Sequence, residues 1–285
     1  MAEAMTAETG EATPEQPRRL HPGLAFLAGM LGFGYLYVGR IGYAIMFVMA
    51  PYLLLLAAGW TRLLLNPLAW YAAISVLVVI WLVPLLHPVV LAWSRSLAPP
   101  KRYNRWWWYI AWIAGFSVVP SLVAAYRGTA FGYEHYYIPA MSMAPTLQPG
   151  DRIAVDTWRY RDGPPAFGDI VVGDFGDGTL VVKRVVGVPG DTIELRGPRL
   201  VRNGGLVDEP YLSTGQGVAL PDSPPLTLGA GQFFVLGDTR GNSYDSRQRG
   251  PLARDQISGR VEFIYFSNSG ARVNWERFPV MLAPD

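Results

Sequence analysis

The amino-acid sequence predicts two parts of different class, a membrane-spanning helical part followed by a mainly β polar part. Three observations predict this. All 22 acidic residues lie either within the first fifteen positions (Glu3, Glu8, Glu11 and Glu15) or from Glu134 onward, and none falls between Gln16 and Tyr133. That interval holds charge-free apolar runs of about 20 residues, the length that a bilayer crossing needs. From about Gly128 the texture changes to short β-branched runs punctuated by Gly, Pro and Asp, with almost no helical period. The expected organisation is therefore a disordered polar tail over 1–19, a membrane part over 20–127 and an extracytoplasmic β domain over 128–285.

The spans follow from the charge gaps. Ile41–Thr61 and Trp106–Tyr126 each suit one crossing, and Leu63–Ser94 is broken by Asn66-Pro67 to leave a core from about Leu68 to Trp93. Pro84 inside that core is tolerable in a membrane helix, where neighbours satisfy the freed carbonyl. Leu20–Gly39, with five glycines, is the candidate for a fourth span, so the sequence predicts three or four. The densest basic loop, Arg95 with Lys101, Arg102 and Arg105, is expected in the cytoplasm. Trp106-Trp107-Trp108 beside it fits an interfacial belt, and everything beyond Arg127 then lies outside. Four spans would put the N-terminus outside, and three would leave it inside. The chain begins acidic rather than with the basic segment of a cleavable signal, so the first apolar run is expected to be retained.

In the polar part the expected strands are Arg152–Asp156, Ile170–Val172, Thr179–Val188, Thr192–Leu195, Leu200–Arg202, Gln232–Leu236 and Arg260–Phe266. Asn203-Gly204-Gly205 reads as a tight hairpin turn, and 212–230 as an exposed loop. Short strands with frequent turns predict a sandwich or barrel-like β domain.

Composition excludes several functions. The chain has no Cys, hence no thiolate chemistry. Its three His (His21, His87 and His135) are scattered, which argues against a histidine-built metal site. Beyond Glu134 acidic residues outnumber basic ones, so no global basic surface for nucleic acid exists. No cofactor is expected.

Lysine usage points to chemistry. Of 24 basic residues only Lys101 and Lys183 are lysines. Lys101 stands in the basic loop, where Arg would serve equally. Lys183 lies in Leu180-Val181-Val182-Lys183-Arg184-Val185-Val186, which otherwise reads as a buried strand. Arg cannot lose its proton in a protein, whereas a buried Lys can. An edge-strand lysine pointing to water is the other reading of the same pattern. A neutral lysine amine can act as general base for a serine nucleophile. Among the serines beyond the last span, Ser142 stands out in Ile138-Pro139-Ala140-Met141-Ser142-Met143-Ala144-Pro145-Thr146-Leu147. His135, seven residues earlier, reads as an interfacial surface residue rather than a base.

These segments resemble the motifs of bacterial type I signal peptidases. Ser142-Met143-Ala144-Pro145-Thr146-Leu147 followed by Gly150-Asp151 resembles the nucleophile box, and Gly168-Asp169-Ile170-Val171-Val172 the second. Lys183-Arg184-Val185-Val186-Gly187-Val188-Pro189-Gly190-Asp191 resembles the general-base box. Gly237-Asp238-Thr239-Arg240-Gly241-Asn242-Ser243-Tyr244-Asp245-Ser246-Arg247 resembles the last. The four come in the family's order over roughly Tyr126 to Phe266, and the first spans lie outside the match.

The resemblance implies a mainly β catalytic domain of the signal-peptidase type, preceded by the three or four transmembrane helices. It implies a membrane protein that cleaves signal peptides from exported preproteins after small residues (A-x-A), with the secretion translocon as a further partner. The spans read from the charge gaps, more than is usual in the family, make the expected protein a multi-pass one of the cytoplasmic membrane. Ser142 would be the nucleophile, Lys183 the base, and Ser243 the residue that hydrogen-bonds and orients the amine. Asp245, Arg247 and Arg184 would form a charge-paired brace, with Asp238 and Gly237 shaping the turn. Ile138, Met143, Leu147 and Val182 would line shallow pockets.

Two positions depart from the family pattern. Ala140 stands where many members carry a serine that helps form the oxyanion hole, so backbone amides, chiefly that of Ser142, are expected to replace it. Thr239 stands where Asn is usual. These two positions favour the alternative of a catalytically dead membrane scaffold on the same fold; Ser142, Lys183 and Ser243 together argue against it. The self-cleaving repressors that share the fold are soluble, and the spans argue against them.

Overall fold

The computed structural model describes residues 18–94, 97–98, 105–212 and 220–282. The tail before Arg18, the basic positions Arg95, Lys101 and Arg102, and 213–219 of the expected loop lie outside the described residues. The chain divides into two compact units, Met1–Leu55 with Ala73–Ala125, and Leu56–Ala72 with Tyr126–Asp285. Leu56–Ala72, read as membrane part, falls in the second unit, which resumes at Tyr126.

The first unit is helical. β1 (Arg18–Arg19) pairs antiparallel with β2 (Leu97–Ala98). The Gly-rich run forms two short helices, α1 (Pro22–Met30) and α2 (Gly34–Tyr37), separated where Gly32 takes φ +79°. Neither has the length of a span. Three described helices are long and apolar enough to cross a membrane: α3 (Ile41–Trp60), α4 (Pro67–Ser94) and α5 (Trp106–Phe131). Pro51, Pro84, Pro88 and Pro120 lie inside them. Many of their large apolar side chains are exposed, including Trp81 and Ile113. Water would oppose such exposure, and a bilayer removes the cost.

The second unit is built on antiparallel sheets. Its strands are β3 (Tyr133–Tyr137), β4 (Asp151–Asp156), β5 (Ile170–Asp174), β6 (Leu180–Gly187), β7 (Thr192–Arg196), β8 (Arg199–Arg202), β9 (Gly205–Leu206), β10 (Ser223–Thr227), β11 (Gln232–Leu236), β12 (Leu252–Ala253), β13 (Ile257–Ser269), β14 (Arg272–Val273) and β15 (Val280–Met281). The large sheet runs β12-β11-β6-β5-β13-β4-β3, with β14 and β15 also on β13; a smaller one runs β10-β7-β8-β9. Every expected strand is present. The expected hairpin turn joins β8 to β9, with Asn203 and Gly204 at φ 53° and 80°.

Two five-residue strands, β3 and β10, were not expected, nor were the two-residue strands β1, β2, β12, β14 and β15. β3 reads Tyr-Glu-His-Tyr-Tyr, with no aliphatic side chain to mark it, and is held by its pairing with β4. β10 contains two prolines and lies at the edge of the small sheet, where a missing N–H is tolerated.

The large sheet is buried on both faces, so its strands read as unbroken apolar runs rather than as alternating ones. Ile170 and Val172 of β5 join a core with Ile153, Val155, Val261 and Ile264, while Val171 between them joins Val185, Val235 and Phe233 on the other face. Each such side chain contributes about 1.5–3 kcal/mol. The smaller sheet closes over Val186, Phe234 and Leu236.

Candidate active site

Ser142 lies in the loop between β3 and β4, and the core fixes that loop. Met143 and Leu147 are buried with Ile138 in the cluster below the sheet. Ile138 N–H donates to Asp151 O and Gly150 N–H to Ile138 O, both at 2.9 Å, which closes the loop at its base. Asp151 holds it further, accepting from Gln148 N–H at 2.8 Å, from Ser267 Oγ at 2.6 Å and from Arg277, which also donates to Thr146 O.

From the other side Thr239 N–H donates to Ser142 O at 3.1 Å, and Thr239 Oγ1 stands 2.6 Å from Met141 O and 2.9 Å from Ala144 O. The hydroxyl at this departure from the family pattern thus grips both flanks of Ser142. Gly237 allows the approach: a Cβ there would meet Ser243 Oγ at 2.2 Å and Ser142 O at 2.5 Å.

Lys183 projects from β6 and is 4% exposed, so the reading as a water-facing edge residue does not hold. Its amine lies 2.9 Å from Ser142 Oγ and donates to Val182 O at 3.0 Å. Burial holds the amine below the ordinary lysine range; Asp245 and Asp238 oppose that shift and Arg247 adds to it. A neutral amine against a serine hydroxyl in a water-poor site can take the hydroxyl proton.

The remaining expected residues are placed as follows. Ser243 comes beside Ser142, but the expected hydrogen bond to Lys183 is not formed; its hydroxyl is buried without a partner among the described residues. The amine is already engaged by Val182 O and Ser142. The single brace of Arg184, Asp245 and Arg247 is instead two separate ion pairs. Arg184 grips Asp238 through Nε at 2.9 Å and Nη2 at 2.7 Å, with Thr146 Oγ1 donating to the same carboxylate at 2.5 Å. Arg247 pairs with Asp245, which also accepts from Gly237 N–H at 3.0 Å and caps the short helix α6 (Ser246–Arg249). Asp238 is therefore an ion-pair partner as well as a turn residue.

Met143 and Leu147 are fully buried and Ile138 nearly so, which makes them the support of the site wall rather than an open pocket surface. Val182 is half-buried and packs against them. Ala140 is exposed. His135, expected at the surface, is packed among Trp70, Tyr133 and Tyr265, and burial, then Arg127, push its pKa down to about 4.

Sequence reasoning gave no role to Thr146, Asp151, Arg277, Glu209 or Tyr211. Arg240 pairs with Glu209, to which Tyr211 also donates, and the Tyr211 ring lies 3.9 Å from the Arg184 guanidinium carbon. Such partners sit far apart in sequence and carry no local signal, although Gly150-Asp151 stands within the nucleophile motif.

Comparison with known proteins gives a consistent result. The family model described as signal peptidase, peptidase S26, matches residues 109–266. Signal peptidase I T of Bacillus subtilis is 36% identical over 55% of this chain and 86% of its own length. Signal peptidase IB of Staphylococcus aureus is 35% identical over 58% of this chain and 94% of its own. A crystal structure of a signal peptidase I from Enterococcus faecalis matches over 34% of this chain and 95% of its own, at 31% identity and a TM-score of 0.31.

Proposed function

This chain belongs to the signal peptidase family, peptidase S26, and from that premise we propose that it is a membrane-anchored serine endopeptidase that removes signal peptides from exported preproteins with a Ser142–Lys183 dyad. The observation that carries the dyad is the 2.9 Å approach of a buried lysine amine to the Ser142 hydroxyl.

In the proposed reaction Ser142 Oγ attacks the scissile carbonyl as its proton passes to Lys183 Nζ. The Ser142 N–H, which donates to no described residue, faces the developing oxyanion in place of the side chain absent at Ala140. The lysine ammonium then gives its proton to the departing amine of the mature protein, and the ester is hydrolysed by a water that the neutral amine deprotonates. An ammonium needs more acceptors than an amine. Val182 O supplies one, and the buried Ser243 hydroxyl supplies another once the proton has moved.

The signal peptide adds as an extended strand along β6. Leu180–Lys183 pair with β5 on one side, whereas β11 reaches only to Arg184 on the other. Small residues at the A-x-A positions suit a wall backed by a close-packed core and leave no deep cavity to fill. The catalytic unit lies outside the cytoplasm. In support, Arg62 is separated by one span, α4, from the basic loop expected in the cytoplasm, so it falls on the opposite side, and it belongs to the same unit as Ser142.

The test is cleavage of a model preprotein by the detergent-solubilised protein. One cut after a small residue is expected, and none from Ser142→Ala; processing at the parental rate by that variant would remove the dyad. Protease added to intact spheroplasts should digest the Ser142 unit, and protection would reverse the sidedness.

A further inference from the structure

The segment Leu56–Ala72, where α3 ends and α4 begins, lies outside the 109–266 match yet belongs to the catalytic unit. Its contacts are specific. Arg62 pairs with Asp156 at 3.7 Å, the turn at Leu63–Leu65 lies against β4, and Leu64 is buried. Gly59 passes so close to the end of α5 that a Cβ there would lie 2.3 Å from Phe131 O. Trp70 packs on Tyr265 with ring centroids 4.9 Å apart and edge-on to His135 at 5.9 Å.

The decisive contact is made by Tyr71, whose hydroxyl donates to Tyr265 O at 2.7 Å. Tyr265 is the extra residue of a β-bulge: Ile264 pairs with Ile153 and Phe266 with Arg152, which leaves Tyr265 without a place in the ladder. A bulge disrupts the local ladder and re-aims the strand beyond it. Two residues beyond this one, Ser267 donates to Asp151, the carboxylate that holds the nucleophile loop through Gln148 and Arg277. His135, under Trp70, stands on β3, whose chain leads through Ile138 to Ser142.

We propose that the α3–α4 connection is a positioning element for the nucleophile: Tyr71 and Trp70 fix the Tyr265 bulge and the β3 edge, and through them the loop that carries Ser142. A helical pair absent from the family match is thereby part of the catalytic machinery and not only an anchor. The inference rests on the peptidase reading of the site.

The test uses the full-length detergent-solubilised protein, with kcat expressed per site labelled by a peptidyl electrophile that acylates Ser142. Tyr71→Phe removes one hydroxyl and little packing. It should lower kcat per labelled site roughly tenfold at unchanged KM, a smaller loss than the roughly 10²-fold that a 1 Å misplacement of reacting groups can cost. Trp70→Ala should do the same, and Trp70→Phe should restore much of the rate. A loss confined to the number of labelled sites would mean that the segment only stabilises the fold, and a rise in KM alone would make it a binding surface; either overturns the proposal. Wild-type cleavage with an equal kcat per site in Tyr71→Phe sinks this inference alone, whereas wild type that cleaves no preprotein sinks the peptidase reading and this inference with it.

Discussion

Lys183 Nζ meets Ser142 Oγ at 2.9 Å from a strand position that shields the amine almost completely from water. The two residues come from different elements, β6 and the β3–β4 loop, so the contact exists only in the folded chain.

Arg at position 183 would keep a positive charge and most of the stem packing but could not lose a proton. Lys183→Arg should therefore reduce cleavage to background, while Lys101→Arg stays active. The acidic limb of the wild-type pH–rate profile should report the depressed amine, with activity rising as pH rises through a pKa below the ordinary 10.4 or so of lysine. The stability consequence has a definite sign. Between the folded and unfolded pKa values the unfolded chain holds a proton that the native state lacks, so stability rises with pH across that window. Lys183→Met should remove that slope in thermal melts, and an unchanged slope would mean that the native amine is charged.

Gly237→Ala should abolish cleavage. The added carbon falls onto Ser243 Oγ at 2.2 Å and Ser142 O at 2.5 Å, and the second of these is backbone of the loop that carries Ser142, so that loop must shift. Gly163→Ala, with open space around its Cβ, is the matched control and should retain the parental rate. Equal activity in the two variants would show that Gly237 and Ser142 O lie farther apart in solution than a 2.5 Å Cβ clearance requires.

The sequence made much of this site legible. Lys183 was conspicuous because it broke two patterns at once, the use of Arg elsewhere and the apolar run around it. Ser142 and the last motif were visible as local strings. What stayed hidden was pairing between strings. Nothing in the order of residues says that Arg184 grips Asp238 rather than joining Asp245 and Arg247, because that depends on the β6–β11 register, in which Arg184 faces Leu236. β3 was hidden because a strand of tyrosines, Glu and His has no apolar period. The role proposed for Tyr71 has no local signal, because it depends on the register shift between Ile264 and Phe266.

Ser243→Ala separates resting-state geometry from transition-state need. The hydroxyl makes no hydrogen bond among the described residues, so its removal leaves no partner unsatisfied. The melting temperature should be unchanged or slightly raised. If the hydroxyl accepts from the ammonium once Lys183 is protonated, kcat should fall by on the order of 10²-fold with little change in KM. A lower melting temperature with unchanged kcat would assign Ser243 to structure alone.

The Arg184–Asp238 pair offers the last test, because its burial makes the cost of breaking it predictable in sign. The Asp238 side chain is 1% exposed and that of Arg184 10%. Removing one partner strands the other's charge, which typically costs about 3–5 kcal/mol, whereas replacing both with apolar side chains of similar volume is often neutral. Arg184→Met and Asp238→Leu should each destabilise strongly, and the double variant should recover most of the loss in a double-mutant cycle. Activity should not recover with it. Thr146 Oγ1 donates to Asp238 and accepts from Arg184 Nη2 at 3.2 Å, so the pair also fixes the nucleophile loop four residues from Ser142. Asp238 moreover favours the positive charge that Lys183 would acquire in the proposed reaction. A double variant that is stable and fully active would reduce the pair to a packing device, and single variants with melts like wild type would mean that the pair is open to water in solution.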